Sequence, residues 1–140
     1  MKDDAWMESW DLFTKAMERQ LQGGATNEEL SRFFGGKTVR WQGVIEHMGI
    51  DKVAPNVEVA LPRRDIKFGD GREASLDGLS LLLADSAIDD WRALSPGTEV
   101  RFSATLGQGI SPFLPIEIKT LKSGHTVVLI RLSDATPIVD

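Results

Sequence analysis

The 140-residue chain has no cysteine, no tyrosine and only two histidines. Without cysteine it can form no disulfide, no thiolate nucleophile and no cysteine-ligated zinc site. His47 and His125 lie far apart in the sequence and lack the spacing of a metal-binding motif. In one interpretation the two histidines lie apart, at surface or strand-end positions. In the other they share a site within a barrel. We expect no catalytic residue, no metal, no cofactor and therefore no enzyme activity.

The sequence also lacks long apolar runs. The longest fully apolar runs have four residues, for example 81–84. A membrane span needs roughly 18 apolar residues, and the first residues lack the apolar core of a signal peptide. We therefore expect no membrane partner and a cytoplasmic location, unless a leader has been removed. The net charge is −5, but residues 37–133 hold 12 basic and 12 acidic side chains. The charge balance of this segment neither excludes nor favours a phosphate-bearing ligand.

The first twenty-odd residues carry a large apolar side chain at every third or fourth position, which predicts an amphipathic helix that ends at Gly23-Gly24. A second, short helix capped by Thr26 or Asn27 should follow and end at Gly35-Gly36. The apolar stripe of the first helix must be covered. It packs either on the rest of its own chain or on another subunit or a different protein. Its members, the candidate protein interface, are Trp6, Trp10, Phe13, Met17 and Leu21.

From Lys37 onward the apolar period changes to two, which is typical of strands. Strands are predicted at 39–45, 57–61 (ending at Pro62), 79–83, 100–106 and 127–132, with a further short strand at 116–118 and a short helix at 86–94. The sequence therefore predicts a mainly β (α+β) fold. It is a five- to six-stranded barrel with a short helix between strands three and four, preceded by two helices. The predicted division is a helical extension at 1–36, a barrel at 37–133 and a loosely held tail at 134–140.

Two segments resemble the OB fold. The run Val39-Arg40-Trp41-Gln42-Gly43-Val44 is similar to an OB first strand with its bulge glycine, and the run from Trp91 to Phe102 is similar to the entry into the fourth strand. Among OB proteins, the chain resembles the small bacterial domains grouped as tRNA-anticodon-binding-like (tRNA_anti-like). The resemblance implies an OB-type barrel and a non-enzymatic binding module, with single-stranded nucleic acid as one ligand class.

The segment that follows the second predicted strand holds four cations around one aromatic residue. Basic and aromatic side chains together are the groups that bind single strands. Three carboxylates, Asp65, Asp70 and Glu73, are interleaved with them, so an ordinary solvated loop is the alternative interpretation. A further cation group at Lys119, Lys122 and Arg131 could border the same groove. The candidate nucleic-acid-binding residues are Arg63, Arg64, Lys67, Phe68 and Arg72.

Overall fold

The computed structural model describes residues 5–51, 53–107 and 114–138, and within them it forms three α-helices and seven strands. The helices are α1 (Trp10–Gln22), α2 (Asn27–Phe34) and α3 (Ile88–Arg92), with 3₁₀ turns at Ala5–Glu8 and Asp85–Ala87. The strands are β1 (Thr38–Gly49), β2 (Asn56–Lys67), β3 (Glu73–Leu83), β4 (Glu99–Leu106), β5 (Ile116–Thr120), β6 (Thr126–Ile130) and β7 (Leu132–Pro137).

Five of these strands close a barrel in the order β1-β2-β3-β7-β4. Neighbouring strands are antiparallel except β3 and β7, which run parallel. Helix α3 connects β3 to β4 and buries Trp91, whose indole N–H donates to the carbonyl oxygen of Ala135 at 2.9 Å. The predicted fold class is confirmed. The chain is a mainly β barrel with a short helix between its third and fourth strands and two helices before it.

Two predicted strand boundaries are wrong. The second strand does not stop at Pro62 but continues to Lys67 as part of β2. A bulge in the β2–β3 ladder between Ala60 and Arg64 accommodates the proline, which has no N–H to donate. The last barrel strand is β7 rather than residues 127–132, so most of the predicted tail closes the barrel. Ala135 in that segment is fully buried and pairs with Leu83.

The connection between β4 and β7 carries a separate two-stranded sheet, made of β5 and β6. Helix α2 holds the outer edge of β5 through two side chains that lie one helical turn apart. Asn27 accepts from the N–H of Ile118 at 2.9 Å, and the hydroxyl of Ser31 donates to the carbonyl of Ile116 at 3.1 Å. These side chains take the place of a neighbouring strand and fix the β5–β6 hairpin on the barrel.

The N-terminal helix is capped by Ser9, which accepts from the N–H of Leu12, and α2 begins with a capping box between Thr26 and Glu29. All five residues of the predicted apolar stripe are buried, each at most 6% exposed, in one core with the barrel. The ring of Phe13 lies 4.7 Å from that of Trp41, centroid to centroid.

Two indole hydrogen bonds fasten this helical segment to the barrel. Trp10 donates to the carbonyl of Pro62 at 2.9 Å, and Trp41 donates to the carbonyl of Trp6 at 3.0 Å. The first satisfies a carbonyl in the β2 bulge, where the ladder is interrupted. This packing contradicts the predicted protein interface at the stripe, because side chains that already fill the barrel's own core present no surface to a partner.

Candidate functional site

Two hairpin tips of the same design stand side by side at one end of the barrel. The β2–β3 tip closes with a hydrogen bond from the N–H of Phe68 to the carbonyl of Arg72 at 2.8 Å. In the β5–β6 tip, the N–H of Leu121 donates to the carbonyl of His125 at 2.7 Å. Each loop has three residues and ends in a glycine with positive φ, +93° at residue 71 and +90° at residue 124. This is the turn with a glycine bulge that three-residue hairpin loops favour.

A groove lies between the two hairpins. β3 pairs with β7 only at Leu81↔Leu132 and Leu83↔Ala135, and β6 pairs only with β5 within the part of the chain that is described. Beyond those two pairs, β3 and β6 form no ladder with each other among the described residues, and an open cleft of about 690 Å³ lies between the hairpin tips. We call this cleft the seam groove. Its charged and titratable lining residues are Arg63, Asp65, Arg72, Glu73 and His125.

On the β2–β3 wall, Arg63 belongs to a small polar network. Its Nε lies 3.1 Å from Asp65 Oδ1, and its Nη2 donates to the hydroxyl oxygen of Ser75 at 3.2 Å. The Ser75 hydroxyl donates to the same Asp65 oxygen at 2.7 Å. The hydrogen bond from Ser75 first, and then the Arg63 guanidinium, hold the pKa of Asp65 below its ordinary value. Arg63 is 66% exposed, so an incoming anion can reach its guanidinium.

Arg72 lies where the two hairpins meet. Its Nε is 2.8 Å from Asp70 Oδ2, and its Nη1 donates to the hydroxyl of Thr120 on β5 at 3.3 Å. The guanidinium carbon sits 4.9 Å from the centroid of the Phe68 ring, within cation–π range. The backbone N–H of Arg72, followed by its side chain, lowers the pKa of Asp70. Arg72 therefore links the hairpins and still presents half its side chain to solvent.

The other three predicted nucleic-acid-binding residues do not line the groove. Arg64 pairs with Asp11 of α1 at 2.9 Å, on the side of the barrel covered by the N-terminal helix. The backbone N–H of Lys67 donates to Glu18 of the same helix. Phe68 is only 6% exposed, because its ring packs in the core. The predicted patch is thus divided between two sides of the hairpin, and Phe68 is not available to stack on a base.

The second wall of the groove, formed by the β5–β6 hairpin, was predicted only in part. The sequence predicted the turn at Lys122-Ser123-Gly124, but not that His125 would lie opposite Arg63. The Nδ1 of His125 lies 2.9 Å from the hydroxyl oxygen of Ser123. Of the further cations, Arg131 is engaged at the base of the hairpin. It forms an ion pair with Glu117 and donates to the carbonyl of Leu114 at 2.8 Å.

The two histidines do not share a site, since His47 pairs with Glu58 in the β1–β2 ladder and His125 belongs to the other hairpin. Among the residues that the structure describes, no group of three or more His, Asp or Glu side chains could hold a metal ion.

No protein-family model matches the sequence, and no curated protein matches it. A solved structure of a candidate nucleic acid-binding lipoprotein from Klebsiella pneumoniae subsp. pneumoniae is similar over 99% of both chains, with 15% sequence identity and a TM-score of 0.44. Because that protein is a lipoprotein, the finding contradicts the predicted cytoplasmic location, and we withdraw that prediction. None of the helices in the described residues is long and apolar enough to cross a membrane.

Proposed function

We propose that this chain is a non-enzymatic binding module of the OB type, with the seam groove as its binding site. The support is the arrangement of the barrel: a closed order of five strands with a helix between the third and the fourth. OB domains bind oligomers on the face of strands two and three, beside the loop that joins strands four and five. The seam groove is bounded by the same two parts of this chain. Its closer grouping with tRNA_anti-like domains stays a prediction.

The proposed ligand is single-stranded nucleic acid, bound mainly through its phosphates. The observation that carries this proposal is the placement of Arg63 and Arg72 on one groove, where each has an exposed carboxylate as its ion-pair partner. Exposed ion pairs contribute about 0–1 kcal/mol, so a phosphate can replace Asp65 or Asp70 at small cost. Among the residues that the structure describes, no Phe or Trp lines the groove, and the His125 imidazole is the ring there that a base could stack on. We expect weak binding with little sequence preference.

The salt dependence of binding tests this proposal. Each phosphate neutralised on a single strand contributes about 0.7 to the slope of log K against log salt, so two arginines predict a slope of about −1.4. The measurement is the fluorescence anisotropy of a labelled oligothymidylate titrated with the protein from low to physiological salt.

Two sets of variants complete the test. Arg63→Ala and Arg72→Ala should each weaken binding and reduce the slope by about 0.7. Arg92→Ala is the matched control, because Arg92 is also exposed and paired with a carboxylate, Asp51 at 3.4 Å, but lies on α3 outside the groove. Absence of any anisotropy change at low salt would refute the proposal. An equal loss in Arg92→Ala would refute the assignment of the site.

A further inference from the structure

A second cleft, of about 710 Å³, adjoins the seam groove. It lies between the α1–α2 junction (residues 21–28), the β2–β3 tip (residues 68–72) and Ile118 of β5, and we call it the tip cleft. Arg72 lines both cavities, so a group bound to its guanidinium in the seam groove has the tip cleft directly beside it. The tip cleft is therefore placed to hold the next part of a ligand that binds in the seam groove.

Hydrogen bonds connect the three walls of the tip cleft. The N–H of Gly69 in the β2–β3 tip donates to the carbonyl of Leu21 in α1 at 3.3 Å. Asn27 at the start of α2 accepts from the N–H of Ile118 on β5, and the Arg72 side chain also donates to β5, as described above. The cleft is thus formed before any ligand binds, and a preformed site loses less conformational entropy on binding.

The lining of the tip cleft combines an apolar surface with free polar groups. Leu21 and Phe68 are buried and Ile118 is half-buried. Gln22 and Glu28 are exposed, and neither side chain has a hydrogen-bond or ion-pair partner among the described residues. Ligand pockets commonly have this composition, in which apolar side chains supply contact area and a few polar groups fix the orientation. Such a cleft suits a flat group with an apolar face and a polar edge.

The charges of the tip cleft favour an uncharged group. Besides Arg72, its charged lining residues within the described ranges are Glu28 and Asp70, and both are acidic. Two carboxylates repel a second phosphate, whereas an uncharged base meets no such repulsion. A nucleotide therefore fits with its phosphate on Arg72 and its base in the tip cleft.

We propose that the tip cleft is a nucleobase pocket that selects a base with an exocyclic amino group, adenine or cytosine. A strand whose phosphate binds Arg72 in the seam groove turns the adjoining base into the tip cleft, where its face lies on the apolar surface and its edge meets Gln22 and Glu28. The inference rests on the nucleic-acid ligand proposed above and adds a base preference to it.

The hydrogen-bonding groups of Gln22 and Glu28 determine this preference. The Gln22 amide both donates and accepts, so it matches adenine, which presents an amino group beside the acceptor N7. The Glu28 carboxylate only accepts, so it binds the amino group of adenine or of cytosine. Thymine presents the carbonyl oxygen O4 instead, and that acceptor would face the carboxylate. Phosphate contacts carry no sequence information, so this preference adds to the little that the seam groove alone provides.

Fluorescence anisotropy at low salt tests the inference. The probes are labelled hexathymidylate and the same strand with one internal thymidine replaced by deoxyadenosine or deoxycytidine. We expect each substituted strand to bind about fivefold more tightly, the lower end of the range for a good contact with a base edge. A further strand carries an unsubstituted purine, which has the ring system of adenine without the amino group. It should bind like hexathymidylate, which separates recognition of the amino group from stacking.

A pair of double variants provides the matched control. Gln22→Ala/Glu28→Ala removes both polar groups of the tip cleft and should bring the ratio of the two affinities close to one. Gln42→Ala/Glu46→Ala removes the same two residue types from β1, where both side chains are exposed and line neither cavity. This control should keep the fivefold ratio.

The outcomes distinguish this inference from the function on which it rests. No anisotropy change with any of the strands would refute the proposed function, and this inference with it. Three results would overturn the inference alone: equal binding of all four strands, tight binding of the purine strand, or a preference that persists in Gln22→Ala/Glu28→Ala. In NMR spectra of the parent chain, the side-chain amide of Gln22 should shift on addition of the adenine-containing strand, and an unchanged signal would also overturn it.

Discussion

Replacing Phe13 with alanine should remove a large part of the stability of the whole chain. Phe13 is fully buried, and its ring centroid lies between 4.7 and 5.8 Å from those of Trp6, Trp10, Phe34 and Trp41. Together with Trp10, whose ring lies 5.3 Å from that of Trp41, it joins the N-terminal helix and the barrel in one aromatic cluster. If the helix is part of the core, the substitution must destabilise the barrel as well.

The expected cost follows from the burial and the ring contacts. A buried Phe→Ala substitution costs about 3–5 kcal/mol, and lost aromatic pairs add about 0.5–1.5 kcal/mol each, although the pairs are not additive. We therefore expect a loss of about 4–5 kcal/mol, out of a total of roughly 5–15 kcal/mol for a native protein. Phe33→Ala is the matched control, because Phe33 is 43% exposed. Its partial burial is worth about 1 kcal/mol.

The assay is urea unfolding, followed by tryptophan fluorescence and by far-UV circular dichroism. Since a urea m-value lies at about 1–3 kcal/mol/M, Phe13→Ala should lower the midpoint by about 2 M and Phe33→Ala by about 0.5 M. The two signals should change together in a single transition. A loss below 1 kcal/mol for Phe13→Ala, or helix unfolding at lower urea than the barrel, would refute the integral role of the helix. The apolar stripe would then again be a candidate interface.

Three further outcomes are expected. Gly69→Ala should destabilise the chain by about 1–3 kcal/mol in the same unfolding assay, because an added Cβ would lie 2.4 Å from the carbonyl oxygen of Gln22. Asn27→Ala should speed amide exchange at Ile118 by about tenfold, since the Asn27 side chain accepts from that N–H, and an unchanged rate would contradict the role of α2 in holding β5. The folded pKa of Asp65 is lowered, so its contribution to stability is complete above its unfolded pKa and is lost as the pH falls through the folded value. Unfolding free energies measured between pH 5 and pH 2 (about the titration range of carboxylates) should therefore fall less steeply in Asp65→Asn than in the parent chain.

The parts of the fold that depend on local pattern were predictable from the sequence. The spacing of Trp10, Phe13 and Met17 predicts the first helix, and the alternation around Trp41 predicts β1. The same spacing placed Trp6 in that helix, but Trp6 lies in the 3₁₀ turn before it. The last barrel strand was not predictable in this way. Half of residues 132–137 are polar and the segment ends in proline. It forms a strand because β3 and β4 on either side supply its backbone partners.

The candidate site was only partly predictable, because it too depends on contacts between segments that are far apart in the sequence. Arg63 and Arg72 stand out as cations close in sequence, but periodicity cannot tell which side of the hairpin each one faces. The Arg64 side chain faces Asp11 because the N-terminal helix packs against β2. The position of His125 on the same groove as Arg63 depends on a hairpin more than fifty residues further along the chain, which Asn27 and Ser31 fix in place.

The central claim is that ligands bind in the seam groove, and NMR mapping of an oligothymidylate titration on the ¹⁵N-labelled chain at low salt tests it most directly. The account predicts saturable amide shift changes on the two groove walls, centred on Arg63, Arg72 and His125, with the β1–β4 face unchanged. It also predicts that these changes reverse as salt is added. Shift changes centred on another face, or none at saturating oligonucleotide, would contradict it.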